Sequence, residues 1–404
     1  MKQTIDLSKE YGIVLEGGGA KGAYQIGVWK ALLEYGVKIK GIAGVSVGAL
    51  NGALICMGDY EKAVDIWQNI SYSKIMNVDD NEMDKLISGK LKSLSLQIVR
   101  KESKKFLIRG GLDITPLKEL MKDTIDEKKI KESEIEFIMG TFSLSNMKEI
   151  EISSKEAEEG YLKDYLLASA SFPLFKNDKL LGKKYLDGGI VNNVPIDMLL
   201  NRGYKDIIVV RIYGPGLEKR VKIPEDVNII EISPRCNLCN VLEFNKKKAA
   251  RNINLGYYDA KRNLEDLAGC SYYIDVKCCE KEYLNRLTVI DDDMIVQLLT
   301  AYKQEIGSSE RNLRTLLENV YPQMAGAFRL DKNWCYQDLY YALLEYAAKK
   351  LKVPRFCIYQ EEELIEKIDG KLAQKVEEQM ENLFLKLVQS IINHKQNTSQ
   401  SNLS

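Results

Sequence analysis

Hydrophobic and polar positions follow one pattern in the first part of this chain. Between Tyr11 and about Ile232, short apolar β-branched runs alternate with amphipathic helical stretches, which is typical of a mostly parallel sheet covered by helices. The pattern predicts two early helices, Ala23–Leu33 and Val47–Cys56. It predicts five strands: Gly12–Leu15, Ile39–Ala43, Ile135–Thr141, Lys184–Leu186 and Ile207–Ile212. We therefore expect an α/β domain.

A second pattern begins after Pro234, where long charged helical segments dominate. These segments are Met294–Ile306, Tyr336–Leu351 and Leu372–Ile392. We expect a first domain at residues 1–235, with its core at about 10–235, followed by a mainly helical C-terminal extension at 236–404. The polar end of the chain, at about 393–404, has little apolar surface to bury, so we expect a disordered tail.

Overall charge and composition narrow the class of protein. Lys and Arg total 58, as do Asp and Glu, so the chain as a whole presents no basic face and we expect no nucleic-acid partner. No stretch approaches the roughly 18 apolar residues of a spanning helix, and the N-terminus lacks the apolar run of a signal peptide. We expect a cytoplasmic protein that is at most peripheral to a membrane.

A glycine-rich loop, Gly17 to Gly22, lies between the first predicted strand and helix. Its sequence satisfies the G-x-G-x-x-G pattern of dinucleotide sites, but the second strand runs into Gly44-Val45-Ser46 where that site needs an acidic residue for ribose. A phosphate-binding P-loop is also disfavoured, because Lys21 is followed by glycine rather than Ser or Thr. The backbone N–H groups of such a loop still attract negative charge.

The segment Gly44-Val45-Ser46-Val47-Gly48 matches the G-x-S-x-G nucleophile elbow and lies, as that motif requires, between a strand and a helix. Small flanking residues permit the tight turn that exposes the serine hydroxyl. A glycine-rich loop after the preceding strand would supply N–H donors to the oxyanion of a tetrahedral intermediate. The two motifs together predict an acyl-transfer site with Ser46 as nucleophile.

The base for that nucleophile cannot be a histidine held in the core. The only histidine, His394, lies in the polar tail. A carboxylate in a partly desolvated pocket can have its pKa raised enough to accept the serine proton. Asp187, in Tyr185-Leu186-Asp187-Gly188-Gly189, comes at the end of a predicted strand, directly after Leu186, and is followed by glycines that let backbone segments crowd close to it.

In this order, the G-G-G-A-K-G loop, the G-V-S-V-G elbow and the D-G-G triplet resemble the patatin-like phospholipases. The block Ala168–Pro173, with Asn193 and Pro195, also resembles what flanks the catalytic acid there. The resemblance covers roughly residues 10–235. It implies a three-layer α/β/α domain, with Ser46 as nucleophile and Asp187 as general base. The implied oxyanion hole comprises Gly17, Gly18, Gly19, Lys21 and Gly22, the implied elbow Gly44 and Gly48, and the implied acid loop Gly188 and Gly189.

This resemblance implies a lipid acyl hydrolase of the phospholipase A or esterase type, acting on a lipid or phospholipid through an acyl-enzyme. It implies no metal and no organic cofactor. A catalytically silent lipid-binding or regulatory module that uses the C-terminal helices is the alternative, although intact Ser46 and Asp187 argue against it.

An insertion at about 68–112 carries the basic segment Lys85–Arg109. The segment holds interleaved Leu and Ile and a single acid, Glu102. Its basic residues are Lys85, Lys90, Lys92, Arg100, Lys101, Lys104, Lys105 and Arg109. Such a segment is either a solvated helix face or a cap in peripheral contact with an anionic membrane. Both interpretations stay open.

Cys236 and Cys239 have zinc-ligand spacing, and Cys278 with Cys279 could complete a four-thiolate site. Adjacent cysteines are poor tetrahedral ligands, and no second C-x-x-C occurs. We therefore expect structural thiols and no metal. Glu16, beside the glycine-rich loop, is expected to have a structural role.

Overall fold

The computed structural model describes residues 5–89, 111–176, 179–180, 182–276, 280–374 and 382–401. The chain divides into two compact units, Met1–Leu264 and Glu265–Ser404. None of the described helices has the length and apolar composition needed to cross a bilayer.

One mostly parallel sheet organises the first unit. Its strands among the described residues are β1 (Glu10–Leu15), β2 (Lys38–Val45), β3 (Glu136–Ser143), β4 (Lys148–Ser153), β5 (Tyr185–Asp187), β6 (Asp206–Val210) and β7 (Asn228–Ile232). The order is β4-β3-β2-β1-β6-β7, with β5 paired to β3. Strands β4 and β5 run antiparallel to β3, and the other pairs are parallel. The predicted α/β fold is confirmed, and the five predicted strands are present with small shifts at their ends.

Helices flank this sheet in the first unit, and both early helices predicted from the pattern are present. They are α1 (Ala23–Glu34), α2 (Val47–Met57), α3 (Tyr60–Gln68), α4 (Tyr72–Ile75), α5 (Asp80–Gly89), α6 (Thr115–Thr124), α7 (Glu127–Glu132), α8 (Leu162–Ser169), α9 (Ile196–Leu200) and α10 (Lys246–Leu264). Short 3-10 turns follow β1 at Gly19–Gly22 and β5 at Gly188–Ile190.

Helix α10 packs directly on α1 through two glycines. A methyl group built on Gly27 would lie 1.8 Å from the carbonyl oxygen of Ile253, and one on Gly256 would lie 1.9 Å from that of Tyr24. Only glycine permits such close contact between two helix backbones. This contact places α10 in the first unit, so the unit ends at residue 264 and not near the expected 235. Because α10 carries many charged residues, the hydrophobic pattern of the sequence did not indicate that one of its faces is buried.

Strand β3 brings β2 and β5 end to end. Strand β4 pairs with β3 from Ile138 to Ser143 and therefore occupies one of its two edges. The other edge pairs first with β2, whose Val45 lies opposite Gly140, and then with β5, whose Asp187 lies opposite Thr141. The end of β2 and the end of β5 thus meet at neighbouring positions of one strand.

The second unit is mainly helical, with a small parallel sheet of β8 (Tyr273–Asp275) and β9 (Ile358–Gln360). Its helices are α11 (Glu280–Thr288), α12 (Asp292–Ala301), α13 (Ser309–Thr315), the π-helical turn Leu316–Val320, α14 (Tyr321–Ala327), α15 (Tyr336–Lys350), α16 (Glu361–Leu372) and α17 (Leu383–Ser401). Helix α17 continues through most of the segment expected to be a disordered tail. Ile391 and Ile392, directly before that segment, are buried, and within it His394 Nε2 lies 3.0 Å from Asp291 Oδ1.

Candidate active site

Ser46 lies at the sharp turn between β2 and α2. Its backbone has φ 54° and ψ −128°, a strained conformation for a residue with a side chain. The turn is tight because a Cβ on Gly48 would lie 2.2 Å from the carbonyl oxygen of Leu15, so α2 begins against the end of β1. A Cβ on Gly44 would likewise lie 2.6 Å from the carbonyl carbon of Gly48. The serine therefore stands where a nucleophile elbow places it.

Ser169, at the end of α8, holds this turn in place. The N–H of Ser46 donates to Ser169 Oγ at 2.9 Å, and that hydroxyl donates to the carbonyl oxygen of Gly140 at 2.6 Å. Ser46 is thereby tied to β3. Ser169 lies in the block Ala168–Pro173 noted for its resemblance to the family, but no feature of the sequence indicates this role.

The hydroxyl of Ser46 donates to Asp187 Oδ2 at 2.6 Å. The other carboxylate oxygen, Oδ1, accepts from the N–H of Gly189 at 2.9 Å. Burial raises the pKa of Asp187 to about 6, and the hydrogen bonds from Ser46 and Gly189 oppose that rise. The result is a carboxylate that is more basic than usual and already bonded to the serine proton.

The glycine-rich loop presents two N–H groups. Within the described chain, the N–H groups of Gly18 and Gly19 donate to no acceptor. The N–H of Gly17 donates to the carbonyl oxygen of Asn193 at 3.2 Å, and that of Lys21 to the carbonyl oxygen of Gly18 at 3.3 Å. Gly17 through Gly19 line the same cavity as Ser46, so Gly18 and Gly19 have the chemistry of oxyanion donors.

Lys21 and Gly22 have other contacts. The Lys21 ammonium donates to the carbonyl oxygen of Tyr213, and burial lowers its pKa. The carbonyl oxygen of Gly22 accepts from Asn51 Nδ2 at 3.0 Å. Lys21 and Gly22 therefore help to fix the conformation of the glycine-rich loop through these contacts. Gly188 and Gly189 follow Asp187 in a 3-10 turn.

Glu16 is buried beside the loop and accepts five hydrogen bonds. Its Oε2 accepts from Arg211 Nε at 3.0 Å and from the N–H groups of Ile212 at 2.7 Å and Tyr213 at 3.0 Å. Its Oε1 accepts from the N–H of Gly214 at 2.9 Å and from Asn193 Nδ2 at 3.1 Å. The carboxylate thereby clamps the segment after β6 against the glycine-rich loop, which is a structural role.

A second buried polar link, centred on Asn51, joins the cavity wall to the same loop. Trp67 Nε1 donates to Asn51 Oδ1 at 3.0 Å, and Asn51 Nδ2 also donates to Gln25 Oε1 at 2.8 Å. Gln25 Nε2 donates in turn to the carbonyl oxygen of Glu16 at 2.7 Å. Sequence reasoning missed this link. Its one local signal is an asparagine in the otherwise apolar helix α2.

Ser46 and Asp187 both line a cavity of about 520 Å³. Its wall is mostly apolar and comes from α2, α3, α6 and the segments that follow α8 and precede α10; it includes Leu54, Trp67, Leu117, Met121, Phe175 and Phe244. Such a lining suits an aliphatic chain rather than a charged group.

The remaining sequence predictions concern cysteines and the basic segment. Burial raises the pKa of the Cys239 thiol to about 11. Among the residues that the structure describes, no group of three or more His, Cys, Asp or Glu is placed to hold a metal ion. Cys278, Cys279 and most of the segment Lys85–Arg109 lie outside the described residues.

Comparison with known proteins identifies a family that part of this chain matches. The model for patatin-like phospholipase matches residues 13–200. The chain is 28% identical over 201 residues to the neuropathy target esterase sws of Drosophila melanogaster, and 29% identical over 210 residues to the lysophospholipase NTE1 of Cryptococcus neoformans. Each match covers 50% of this chain but only 13% and 11% of those two relatives. The solved structure of VipD from Legionella pneumophila aligns over 99% of this chain and 86% of its own, with 14% identity and a TM-score of 0.41, which supports no conclusion.

Proposed function

Because residues 13–200 are a patatin-like phospholipase domain, we propose that this protein is a lipid acyl hydrolase that cleaves fatty acyl esters through Ser46 and Asp187. One observation carries the proposal: the 2.6 Å hydrogen bond from the Ser46 hydroxyl to a buried carboxylate whose pKa is raised to about 6. An aspartate with a purely structural role would not require a hydrogen-bond partner whose backbone is held in a strained conformation, as that of Ser46 is.

The reaction proceeds in two acyl transfers. Ser46 Oγ attacks the ester carbonyl while Asp187 accepts its proton, and the N–H groups of Gly18 and Gly19 bind the oxyanion that forms. Collapse of the intermediate expels the alcohol, which takes the proton from Asp187. Water then attacks the acyl-enzyme with Asp187 again as base, which releases the fatty acid and restores Ser46.

The cavity and the relatives support a lipid ester as substrate. An apolar wall beside the dyad suits the acyl chain, and it leaves only the ester group near polar atoms. A relative that is named a lysophospholipase supports phospholipids or lysophospholipids as the substrate class.

The first prediction tests the nucleophile. Ser46→Ala should abolish hydrolysis of a short-chain p-nitrophenyl ester and labelling by a fluorophosphonate probe, with a rate loss on the order of 10³ or more. The exposed Ser8→Ala serves as the matched control and should behave as wild type. Labelling that persists in Ser46→Ala would place the nucleophile elsewhere. An unlabelled wild-type protein that still binds lipid would indicate the silent lipid-binding alternative.

A further inference from the structure

A loop segment at the cavity, residues 213–223, follows β6; we call it the rim segment. Its Pro215, Gly216 and Leu217 form part of the cavity wall. The backbone of Leu217 is anchored next to the dyad, because its N–H donates to the carbonyl oxygen of Gly189 at 3.0 Å and its carbonyl oxygen accepts from the N–H of Asn193 at 2.7 Å. The side chain of Leu217 is nevertheless 60% exposed.

Exposed apolar side chains are concentrated in this segment. Eight large hydrophobic residues are exposed in the described part of the first unit, and three of them lie here: Tyr213 at 51%, Leu217 at 60% and Ile223 at 37%. Single exposed hydrophobic residues need no explanation, but three in one short segment, of which Leu217 also lines the apolar cavity, indicate a contact surface.

Positive charge accompanies these apolar side chains. Arg220 and Lys222 are exposed, and neither forms an ion pair with another residue that the structure describes. The single acid within the rim segment, Glu218, is already paired with Arg211. The rim segment therefore combines apolar side chains with two cations that form no ion pair with a described residue, which is the composition of a surface that lies in a lipid–water interface.

We propose that the rim segment docks the protein on an anionic lipid bilayer, with Leu217 and Ile223 entering the interface and Arg220 and Lys222 contacting lipid phosphates. The occupant is a lipid surface because the segment is continuous with the cavity wall, so a lipid can pass from the bilayer to Ser46 without crossing water. The inference rests on the proposed function only in taking the cavity to hold a lipid chain.

Vesicle binding tests the charged part of this surface. The protein carries Ser46→Ala so that hydrolysis does not change the vesicles, which contain phosphatidylcholine alone or mixed with phosphatidylglycerol. The double variant Arg220→Glu with Lys222→Glu should bind the anionic vesicles more weakly. Its affinity, measured by co-sedimentation, should fall by at least roughly fivefold for each positive charge removed. The matched control, Lys128→Glu with Lys129→Glu, changes two exposed lysines of α7 and should bind like the parent.

The apolar part has its own pair of variants. Leu217→Ser with Ile223→Ser should weaken binding even at high salt, where electrostatic attraction is screened. Leu33→Ser with Met147→Ser changes two side chains that are 56% and 73% exposed and are not among the residues that line the cavity, and it should have no effect. Thermal unfolding of every variant shows whether the fold is kept.

The outcomes separate docking from catalysis. Parent-like binding by both rim variants, or loss of binding in both controls, overturns the docking surface and leaves the proposed function standing. An inactive wild-type protein that binds vesicles through the rim segment would instead overturn the proposed function and leave the docking surface. With Ser46 intact, Arg220→Glu with Lys222→Glu should hydrolyse a soluble short-chain ester at the normal rate.

Discussion

The carboxylate of Asp187 determines the pH range in which the proposed reaction can run. Burial penalises its charged form and raises its pKa to about 6. Only the ionised carboxylate can accept the Ser46 proton. The fraction of protein with Asp187 ionised is therefore close to one well above pH 6 and falls as the pH drops through about 6.

We therefore predict that kcat/KM for a neutral ester rises with pH along a limb centred near 6. Asp187→Asn should lose activity by on the order of 10³ or more, because it removes the base that activates Ser46. His394→Ala should keep both the rate and the limb, since His394 contacts Asp291. A limb near 6 that disappears in the histidine variant would exclude the Ser–Asp dyad.

At the scale of elements, the position of Ser46 depends on the contact between the start of α2 and the end of β1. We predict that Gly48→Ala destabilises the protein by ~1–3 kcal/mol and reduces fluorophosphonate labelling of Ser46, because its Cβ would lie 2.2 Å from a backbone carbonyl that cannot swing aside. Urea unfolding and the rate of labelling measure the two effects.

The control for this substitution is Gly370→Ala in α16, where an added Cβ has no neighbour within 4 Å among the described residues. It should stabilise its helix by about 0.5–1 kcal/mol and leave labelling unchanged. Normal stability and labelling in Gly48→Ala would show that the elbow does not need this close approach.

The elements that could be predicted from the sequence are those with local signals. Strands β1 and β6 contain continuous apolar runs, at Gly12–Leu15 and Ile207–Val210, and the elbow and the D-G-G triplet are short motifs, so Ser46 and Asp187 could be proposed for one site. The antiparallel entry of β5, the five donors to Glu16 and the link through Asn51 could not be predicted. They depend on contacts between residues distant in sequence, for which the alternation of polar and apolar residues carries no signal.

At the scale of the whole molecule, the first compact unit ends with α10 and not with the last strand. We predict that a fragment of residues 1–264 folds and is labelled at Ser46, whereas a fragment of residues 1–235 aggregates. The shorter fragment loses the helix that packs on α1 at Gly27, the cavity residue Phe244 and the carbonyl oxygen of Val241, which accepts from the N–H of Ala20 at 2.8 Å. Gel filtration and circular dichroism distinguish the two. A monomeric, labelled 1–235 fragment would contradict this boundary.

Because β2 and β5 meet end to end on β3, the distance between Ser46 and Asp187 is set by the sheet and does not depend on the segments that form most of the cavity wall. Ser46 and Asp187 lie 141 positions apart in the chain, yet their spacing is fixed by two neighbouring residues of β3, because β2 pairs as far as Gly140 and β5 begins its pairing at Thr141. Most of the cavity wall is encoded between them, largely in α2, α3 and α6. Insertions, deletions and exchanges in that wall can change which substrate the proposed hydrolase accepts while the distance between the Ser46 hydroxyl and the Asp187 carboxylate stays the same.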